Sequence, residues 1–364
     1  MKNILYIDTG YEAGGGTKSF LYLLEFLDKT KYKPFVFFKN DYKVGDKFLS
    51  EIVKEKGGEF IKLNIKKKKL SKIKKELLRV FMKNILEKEL FRIRVDYANE
   101  ILKVIVNKYK IDIIHLNNHF STNLEYIYIA NQLKIPVIQH LRKNSKLKKW
   151  EIAILNKQKF ISICVSKSTY NFYKPYILDK NIIYNPFIIN LKPYKKDNSN
   201  KIKILFPANY LENKGHKIVF EAIKNLDNIT LYLAGSGKFD NNTEKLKNSL
   251  QNVVELGFVN LDEWYKKVDY VISFSEKEGL PRVVIEGLLY GCGIICSDYE
   301  VSFEIFELSS KKDFFIIKRD SKILNKLLKN LIPISEKKPD EKLKQIFSLD
   351  SYIQKIENLY KSLL

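Results

Sequence analysis

Two glutamates lie eight positions apart across a predicted strand-to-helix turn. Glu278 follows the apolar, β-branched run 270–274, which predicts a buried strand, and Glu286 falls within the apolar spacing of residues 283–290, which predicts a helix. Pro281 is well suited to the first position of that helix. We therefore expect Glu278 in the loop above the strand end and Glu286 about a turn and a half into the helix. The unpaired backbone N–H groups at such a helix start favour an anion such as a diphosphate.

Four further segments support this interpretation by their order along the chain, and they are residues 204–216, 231–237, 253–259 and 291–298. Together with the two glutamates they resemble a retaining glycosyltransferase of the large GT-B family four, the glycosyl transferases group 1. The signature of that family is a Glu, seven residues and a second Glu. Ordered matches from residue 204 to residue 298 are hard to obtain by chance, so the resemblance predicts the family.

The resemblance implies an α/β protein with the GT-B fold, in which two Rossmann-like, doubly wound parallel-sheet domains face a central cleft. Independently, strands and helices alternate along the chain, which predicts two such sheets. The 364 residues, 45% of them hydrophobic, suffice for two cores. We expect an N-terminal acceptor-binding domain at 1–190, a nucleotide-sugar-binding domain at 201–347, and a helix at 348–364 that crosses back to the first domain. The polar segment 191–200 would be the boundary.

The resemblance also implies roles for individual residues. Lys214 would bind the diphosphate, Glu286 the ribose hydroxyls and Glu278 the donor sugar. His140, at a strand end, resembles the active-site histidine that contacts the sugar near the reacting carbon. We therefore expect Glu278, His140 and Lys214 to be catalytic, with no protein nucleophile. The expected donor-binding residues are Gly15, Gly16, Asn209, Lys214, Gly235, Gly237, Glu278, Gly279, Leu280, Pro281, Arg282 and Glu286.

Two features bear on how the donor is held. Where the family usually has an arginine that grips the donor phosphates, this chain has Asn209, and Arg282 and Arg142 are candidates to replace the missing charge. The glycine-rich loop 14–17 is expected to lead into a helix near Lys18. Three consecutive glycines alone form a flexible turn more often than a binding loop, but in the family this loop sits across the cleft from the donor.

The formal net charge of +23 is uneven along the sequence. Between Lys62 and Arg94, cations are interleaved with apolar residues at three- and four-residue steps, which predicts a basic amphipathic helix. Such a helix suits an anionic membrane surface. A solvated, lysine-rich face is the alternative. Nucleic acid is a third possibility, but no recognition module is apparent, so we expect no nucleic-acid partner.

The cysteines, the first residues and the lack of an Asp-x-Asp motif bear on the compartment and on the need for a cofactor. Cys164, Cys292 and Cys296 lie in apolar settings and predict core residues in a reducing compartment, not a disulfide framework or a zinc site. The first residues lead directly into a predicted strand, so we expect no signal peptide. We expect a cytoplasmic protein, peripheral on the inner face of the cell membrane. No Asp-x-Asp motif occurs where a metal-dependent transferase would need one, so we expect neither a metal nor another cofactor.

These observations predict transfer of a sugar from a UDP- or GDP-sugar to a glycan or lipid-linked acceptor in bacterial surface polysaccharide synthesis. Two alternatives stay open. A sugar-nucleotide 2-epimerase-like enzyme uses the same two domains without an acceptor. A basic membrane- or nucleic-acid-binding protein with a vestigial site is favoured only by Asn209. A phosphorylase-like enzyme would need a pyridoxal-phosphate lysine and a much longer chain.

Overall fold

The chain forms two compact units in the computed structural model. The first is made of Met1–Asn185 and Tyr352–Leu364, and the second of Pro186–Ser351. The segment 191–200, where we expect the domain boundary, lies outside the described residues. The residues that the structure describes are 1–8, 10, 14–65, 70–189 and 201–364.

The first unit is built on a parallel sheet. Residues 4–8 of its first strand are all buried, as expected for a parallel strand that is covered on both faces. The strands are β1 (Lys2–Asp8), β2 (Tyr32–Phe38), β3 (Lys43–Val44), β4 (Lys47–Phe48), β5 (Glu59–Phe60), β6 (Ile113–Leu116), β7 (Val137–Leu141) and β8 (Ile161–Cys164). Within the described residues the parallel sheet has the order β5-β2-β1-β6-β7-β8, and β3 pairs with β4 in an antiparallel ribbon.

Helices cover both faces of this sheet. They are α1 (Gly15–Phe26), α2 (Leu49–Glu55), α3 (Lys72–Phe81), α4 (Lys83–Tyr109), α5 (Phe120–Gln132), α6 (Lys149–Leu155) and α7 (Lys167–Tyr173). Successive side chains of β1 point to opposite faces. Leu5 and Ile7 therefore pack in the core that α4 and α5 complete, while Ile4 and Tyr6 pack with residues of α1 and α2.

The second unit repeats this plan. Its strands are β9 (Ile202–Pro207), β10 (Ile229–Ala234), β11 (Val253–Gly257), β12 (Tyr270–Ser273), β13 (Gly293–Ser297) and β14 (Phe314–Ile317). They form a parallel sheet in the order β11-β10-β9-β12-β13-β14. Its helices are α8 (His216–Ile223), α9 (Asn241–Asn248), α10 (Leu261–Lys267), α11 (Arg282–Leu289), α12 (Glu300–Leu308), α13 (Ser321–Lys329) and α14 (Glu341–Ile346), and Glu212–Lys214 form one turn of 3-10 helix before α8.

Both sheets have the strand order of the Rossmann fold. In each, the order reverses beside the first strand, between β1 and β6 in the first unit and between β9 and β12 in the second. In open α/β sheets, ligands bind outside the carboxyl ends of the strands at this reversal. The prediction of two doubly wound parallel sheets is confirmed, and the topology directs attention to the loops that follow these four strands.

The last helix, α15 (Leu349–Leu363), contributes residues 352–364 to the first unit. Tyr352, Ile356 and Tyr360 are four residues apart, so they lie on one face of the helix, and all three are buried in the core that contains Ile4 and Tyr6. The sequence predicts this helix at 348–364, and the structure has it at Leu349–Leu363. Its buried face makes it part of the first unit's core.

The basic segment differs from the prediction of one amphipathic helix between Lys62 and Arg94. Residues 61–65 are not helical, residues 66–69 lie outside the described part, and α3 and α4 are separated at Met82. The backbone of Met82, with φ −145° and ψ 57°, interrupts the helical path. Leu86 on α4 is buried, whereas Leu77 on α3 is exposed, so the segment does not present a single apolar face.

Three further features concern the cysteines, the length of the helices and the histidines. Cys164, Cys292 and Cys296 are all buried and unpaired, as expected for core residues. Across the described ranges, no helix is long and apolar enough to cross a membrane. The four histidines of the sequence, His115, His119, His140 and His216, are all buried or half-buried in the structure.

Loss of contact with water lowers the pKa of all four histidines. The pKa of His115 falls to about 3, with a further contribution from the nearby Arg142 charge, and that of His140 falls well below 6.5 for the same two reasons. The pKa values of His119 and His216 fall to about 4. All four rings are therefore neutral in the folded protein near pH 7.

We expect the free energy of unfolding to fall as the pH is lowered from about 6.5 towards 5. In this range the unfolded chain protonates its histidines and the folded protein does not, so the unfolded state binds more protons. Each such ring contributes a slope of about 1.4 kcal/mol per pH unit, and stability is lost as pH falls. Urea unfolding at a series of pH values measures the slope.

His216→Phe is the informative variant for this prediction. The His216 ring stacks on Phe206 at 4.3 Å between centroids and lies 5.1 Å from Phe239, so an aromatic ring of similar shape can replace it. The dependence of its free energy of unfolding on pH should correspond to about one proton fewer than in the wild type, whatever its absolute stability. Parallel slopes for the variant and the wild type would contradict a neutral buried histidine at this position.

Candidate active site

Glu278 and Glu286 lie on either side of the turn between β12 and α11, as the sequence predicts. β12 ends at Ser273 and α11 begins at Arg282, so Glu278 lies in the connecting loop and Glu286 in the second turn of the helix. Pro281 is the N-cap residue and not the first helical residue, because its ψ of 89° lies outside the helical range. This one-residue shift leaves both carboxylates where the spacing places them.

Glu278 forms an ion pair with Lys214. The Lys214 Nζ lies 2.5 Å from Glu278 Oε1, and the Ser275 hydroxyl donates a hydrogen bond of 2.7 Å to the same oxygen. Lys214 reaches this position from the loop after β9, and Glu278 from the loop after β12. Two residues that the sequence assigned to catalysis are therefore brought together at the reversal point of the second sheet.

Glu286 is held by two neighbours. Arg282 Nη2 lies 3.0 Å from Glu286 Oε1, and the Tyr265 hydroxyl donates a hydrogen bond of 2.9 Å to Oε2. The Arg282 guanidinium in turn lies over the Phe187 ring, 4.2 Å from its centroid. Tyr265 is fully buried, and burial together with the Glu286 charge raises its pKa well above 10, so its hydroxyl remains protonated and can donate. The Glu286 carboxylate is thus oriented from both sides.

The backbone around Lys214 is fixed by a glycine and an arginine. Gly215 has a φ of +81°, and a side chain there would place its Cβ 2.4 Å from the carbonyl oxygen of Phe274. Arg319 Nε donates to that same oxygen at 3.1 Å, and its Nη2 donates to the carbonyl oxygen of Glu212 at 3.3 Å. Arg319 therefore ties the Lys214 loop to the end of β12. It follows β14 without any local motif, so the sequence alone does not reveal it.

Gly235 and Gly237 lie against the loop that carries Asn209. A Cβ on Gly235 would approach the carbonyl oxygen of Ala208 to 2.1 Å, and one on Gly237 would approach the Cβ of Tyr210 to 3.1 Å. The Tyr210 N–H donates to the Ser236 carbonyl oxygen at 2.9 Å. These glycines are thus required for close approach of two protein loops. The Asn209 side chain between them is exposed.

Arg142 is the centre of a polar network in the first unit. Its guanidinium donates to the side-chain oxygens of Asn117 and Asn185. Asn117 in turn donates to the buried Asp8 carboxylate at 2.6 Å, and Asn118 donates to the other Asp8 oxygen at 2.7 Å. The network joins the ends of β1, β6 and β7. Arg142 is therefore committed to neighbours within its own unit, and Arg282 to Glu286 within the other.

The expected loop at Gly15 and Gly16 begins a helix instead. α1 starts at Gly15, three residues before the predicted start near Lys18, so both glycines lie in its first turn. A Cβ on Gly16 would lie 2.8 Å from Cδ of Arg142. The absence of a side chain at Gly16 thus gives space to Arg142, a structural reason that the sequence alone does not reveal.

His140 lies in β7 and is fully buried. Its Nδ1 is 3.3 Å from Nη2 of Arg142, and its Nε2 has no hydrogen-bond partner among the described residues. His140, Gly15 and Gly16 belong to the first unit, and every other expected site residue belongs to the second. Gly279 and Leu280 are half-buried in the loop before α11.

The chemistry available in the second unit is that of anion binding. A lysine, an arginine and the start of α8 lie near one another at the ends of β9 and β12. In the part of the chain that the structure describes, no group of three or more His, Cys, Asp or Glu side chains is placed to hold a metal ion. Metal-independent chemistry stays a prediction.

Comparison with known proteins identifies what the chain is similar to. Residues 189–345 match the family model described as glycosyl transferases group 1. No curated protein sequence gives a significant match. Among solved structures, HepE of Anabaena in complex with UDP and glucose superposes with a TM-score of 0.72 at 15% identity, covering 100% of both chains.

Two other structures show the same fold. Sucrose-phosphate synthase of Thermosynechococcus elongatus gives a TM-score of 0.72 at 15% identity, over 100% of this chain and 99% of that one. A point mutant of S. aureus TarM, in complex with fondaparinux, α-GlcNAc-glycerol and UDP, gives 0.66 at 11% identity, over 99% and 100%. The predicted GT-B fold is confirmed, and the region that matches glycosyl transferases group 1 falls within the second unit.

Proposed function

We propose that the protein is a retaining glycosyltransferase of family four that moves a sugar from a UDP- or GDP-sugar to a glycan or lipid-linked acceptor in bacterial surface polysaccharide synthesis. The observation that carries this proposal is the Lys214–Glu278 ion pair at the reversal point of the second sheet. HepE and TarM were each solved with UDP, which makes UDP the first nucleotide to test.

The proposed roles follow from charge and position. Departure of a nucleoside diphosphate develops negative charge on its phosphate oxygens, and a preorganised cation such as Lys214 stabilises that charge. Lys214 would exchange its contact with Glu278 for the diphosphate, and Glu278 would then contact the donor sugar. Glu286, oriented by Arg282 and Tyr265, would accept hydrogen bonds from the ribose hydroxyls. His140 would donate to the sugar, and the leaving phosphate would take the acceptor's proton.

The proposed reaction is tested by assaying hydrolysis and transfer across a panel of UDP-, GDP- and ADP-sugars. With the donor that supports turnover, Lys214→Ala should lower kcat at least tenfold, because a preorganised cation acts mainly when the diphosphate leaves. Lys217→Ala is the matched control, since Lys217 lies three residues further on and is exposed. It should retain nearly full activity.

The same assay separates the alternatives. Equal turnover of Lys214→Ala and the wild type would remove Lys214 from the reaction. Interconversion of two nucleotide sugars without any acceptor would indicate an epimerase. Inactivity with every donor, restored by Asn209→Arg, would show that the absent arginine has left the site vestigial. No effect of Asn209→Arg on an active enzyme would assign the charge to another residue.

Glu286→Ala should weaken binding of the donor nucleotide roughly 10- to 100-fold, because hydrogen bonds to a charged acceptor contribute about 1.5–3 kcal/mol. Tyr265→Phe should weaken it less, about two- to tenfold, since Glu286 keeps its charge but loses one of the bonds that orient it. Calorimetric titration with UDP and with GDP measures both effects.

Tyr270→Phe is the control for this pair. Tyr270 is a buried tyrosine of the same unit, and its hydroxyl donates to the carbonyl oxygen of Ile332 at 2.9 Å. It should lose similar stability and keep its nucleotide affinity. Unchanged affinity in Glu286→Ala would overturn the ribose assignment, and equal effects of Tyr265→Phe and Tyr270→Phe would reduce the role of Tyr265 to stability.

The membrane part of the proposal rests on α3 and the start of α4. Leu77, Val80, Met82 and Ile85 are each about half exposed or more, at 55, 67, 52 and 47%. Contiguous exposed apolar patches mark interaction sites, and we propose that these four side chains contribute to one. Lys75 and Arg79 are exposed among them. Apolar side chains with neighbouring cations suit an anionic lipid surface.

We expect the protein to co-sediment with anionic vesicles and to bind neutral ones weakly. Salt should reduce this binding without abolishing it, because charge attraction is screened over about 8–10 Å at physiological ionic strength while apolar insertion is not. Neutralising the expected cluster Lys66 to Lys69, which lies outside the described residues, should weaken binding. So should Leu77→Ser with Val80→Ser.

A control double variant is available on α4, the helix that also carries Ile85. Lys103→Gln with Val104→Ser removes one exposed cation and one side chain that is 46% exposed, nearly at the other end of α4. It should leave vesicle binding unchanged. Activity on a soluble acceptor analogue should survive in both sets of variants. Equal, negligible binding to anionic and neutral vesicles would show that this segment is a solvated surface and not a membrane-binding one.

A further inference from the structure

A chain of side-chain contacts runs from the C-terminal helix to His140 inside the first unit. The hydroxyl oxygens of Tyr6 and Tyr360 are 2.8 Å apart. The Tyr360 hydroxyl lies 2.7 Å from Nδ1 of His115. On the other side of that ring, His115 Nε2 lies 3.4 Å from Nδ1 of His140, to which Arg142 Nη2 also comes within 3.3 Å. Apart from Arg142, these side chains are buried.

Arg142 determines the direction of this chain. A guanidinium only donates hydrogen bonds, so the Nδ1 of His140 beside it must be the acceptor. A neutral imidazole that accepts at one nitrogen carries its proton on the other. Burial and the Arg142 charge keep the pKa of His140 well below 6.5, so the ring is neutral. Its proton therefore resides on Nε2.

The remaining contacts follow from this assignment. His115 Nε2 faces an acceptor on His140, so it carries the proton and donates. The Nδ1 of His115 is then an acceptor, and the Tyr360 hydroxyl must donate to it. The Tyr360 oxygen is left to accept from the Tyr6 hydroxyl. Every contact pairs a donor with an acceptor in this single direction, and His115 Nε2 and Arg142 Nη2 share the one lone pair of His140 Nδ1, in keeping with the length of both contacts.

We propose that Tyr360 and His115 are positioning residues that hold His140 as the tautomer protonated on Nε2, ready to donate to an oxygen of the sugar nucleotide. The Nε2 of His140 is buried without a partner among the described residues. A buried N–H without an acceptor costs free energy, which an incoming acceptor recovers. The tautomer rests on geometry alone, and the catalytic consequence rests on the proposed function.

Tyr360 is the residue on which the His115 tautomer depends most. Burial raises its pKa well above 10, so the hydroxyl keeps its proton and can always donate. With phenylalanine in its place, Nδ1 of His115 has no donor, and His115 can take either tautomer. In one of these, His115 Nε2 becomes an acceptor that faces the Nδ1 acceptor of His140, so the contact between the two rings is lost and Arg142 is the one described donor that still holds His140.

The test is NMR of the full-length protein with 15N-labelled histidine, in which one- and two-bond couplings distinguish the two tautomers. His115→Asn and His140→Asn assign the signals. The wild type should show both rings protonated on Nε2 near pH 7. Tyr360→Phe should show mixed tautomers for His115. Tyr32→Phe is the matched control, because Tyr32 is buried beside α15 and its hydroxyl donates to the Glu357 carbonyl oxygen, outside the chain of contacts.

Kinetics provide the second measurement. Tyr360→Phe should lower kcat about tenfold with the donor KM unchanged, as expected for a residue that acts through His140. Tyr32→Phe should stay within about twofold of the wild type. A His140 protonated on Nδ1 in the wild type, or fixed His115 tautomers in Tyr360→Phe, would overturn the proposal. Mixed tautomers with an unchanged kcat would overturn its catalytic part.

These outcomes are independent of whether the proposed function is right. The NMR measurement requires neither a donor nor an acceptor. The expected tautomers without any glycosyl transfer would therefore support the positioning network and count against the proposed reaction. Transfer activity with His140 protonated on Nδ1 would support the proposed reaction and count against the positioning network. Thermal unfolding of Tyr360→Phe and Tyr32→Phe shows whether both variants remain folded.

Discussion

The requirement that buried polar groups be paired governs the ends of the parallel strands in both units. Moving a guanidinium or a carboxylate out of water costs free energy unless neighbours replace its lost hydrogen bonds. In the first unit, Arg142 and Asp8 each meet this requirement with two asparagines, and they share Asn117. Because the five groups come from the ends of β1, β6 and β7 and from Asn185, pairing of one charge fixes the relative positions of several loops.

The two units satisfy this requirement differently, and the difference bears on ligand binding. The first unit's groups bond to one another, and the Nε2 of His140 has no partner among the residues that the structure describes. In the second, Lys214 and Glu278 form a half-buried ion pair. Pairs that remain in contact with water are generally worth about 1 kcal/mol or less, so under the proposed function the donor diphosphate would displace the carboxylate at little cost. The ion pair of the second unit would thus be exchanged for a ligand, whereas the paired groups of the first unit hold their loops in place.

The sequence predicted what depends on neighbours along the chain. The β12 strand, the Glu278 loop and the position of Glu286 follow from local apolar spacing and a proline, and the two doubly wound parallel sheets follow from the alternation of strands and helices. Contacts between distant residues have no local signal. Tyr265 is 21 residues from Glu286, Arg319 is 45 from Phe274, and His115 is 245 from Tyr360. The break at Met82 was also missed, because no glycine or proline marks it.

The sequence separation of one further contact has a consequence for folding. Tyr6 and Tyr360 are 354 residues apart, yet their hydroxyls meet within one core. The first unit cannot complete that core from its first 185 residues, because the buried face of α15 supplies Tyr352, Ile356 and Tyr360. Contacts of such separation form late, since their loop-closure entropy must be offset by structure already present. The surroundings of His140 are therefore completed only when the end of the chain has docked.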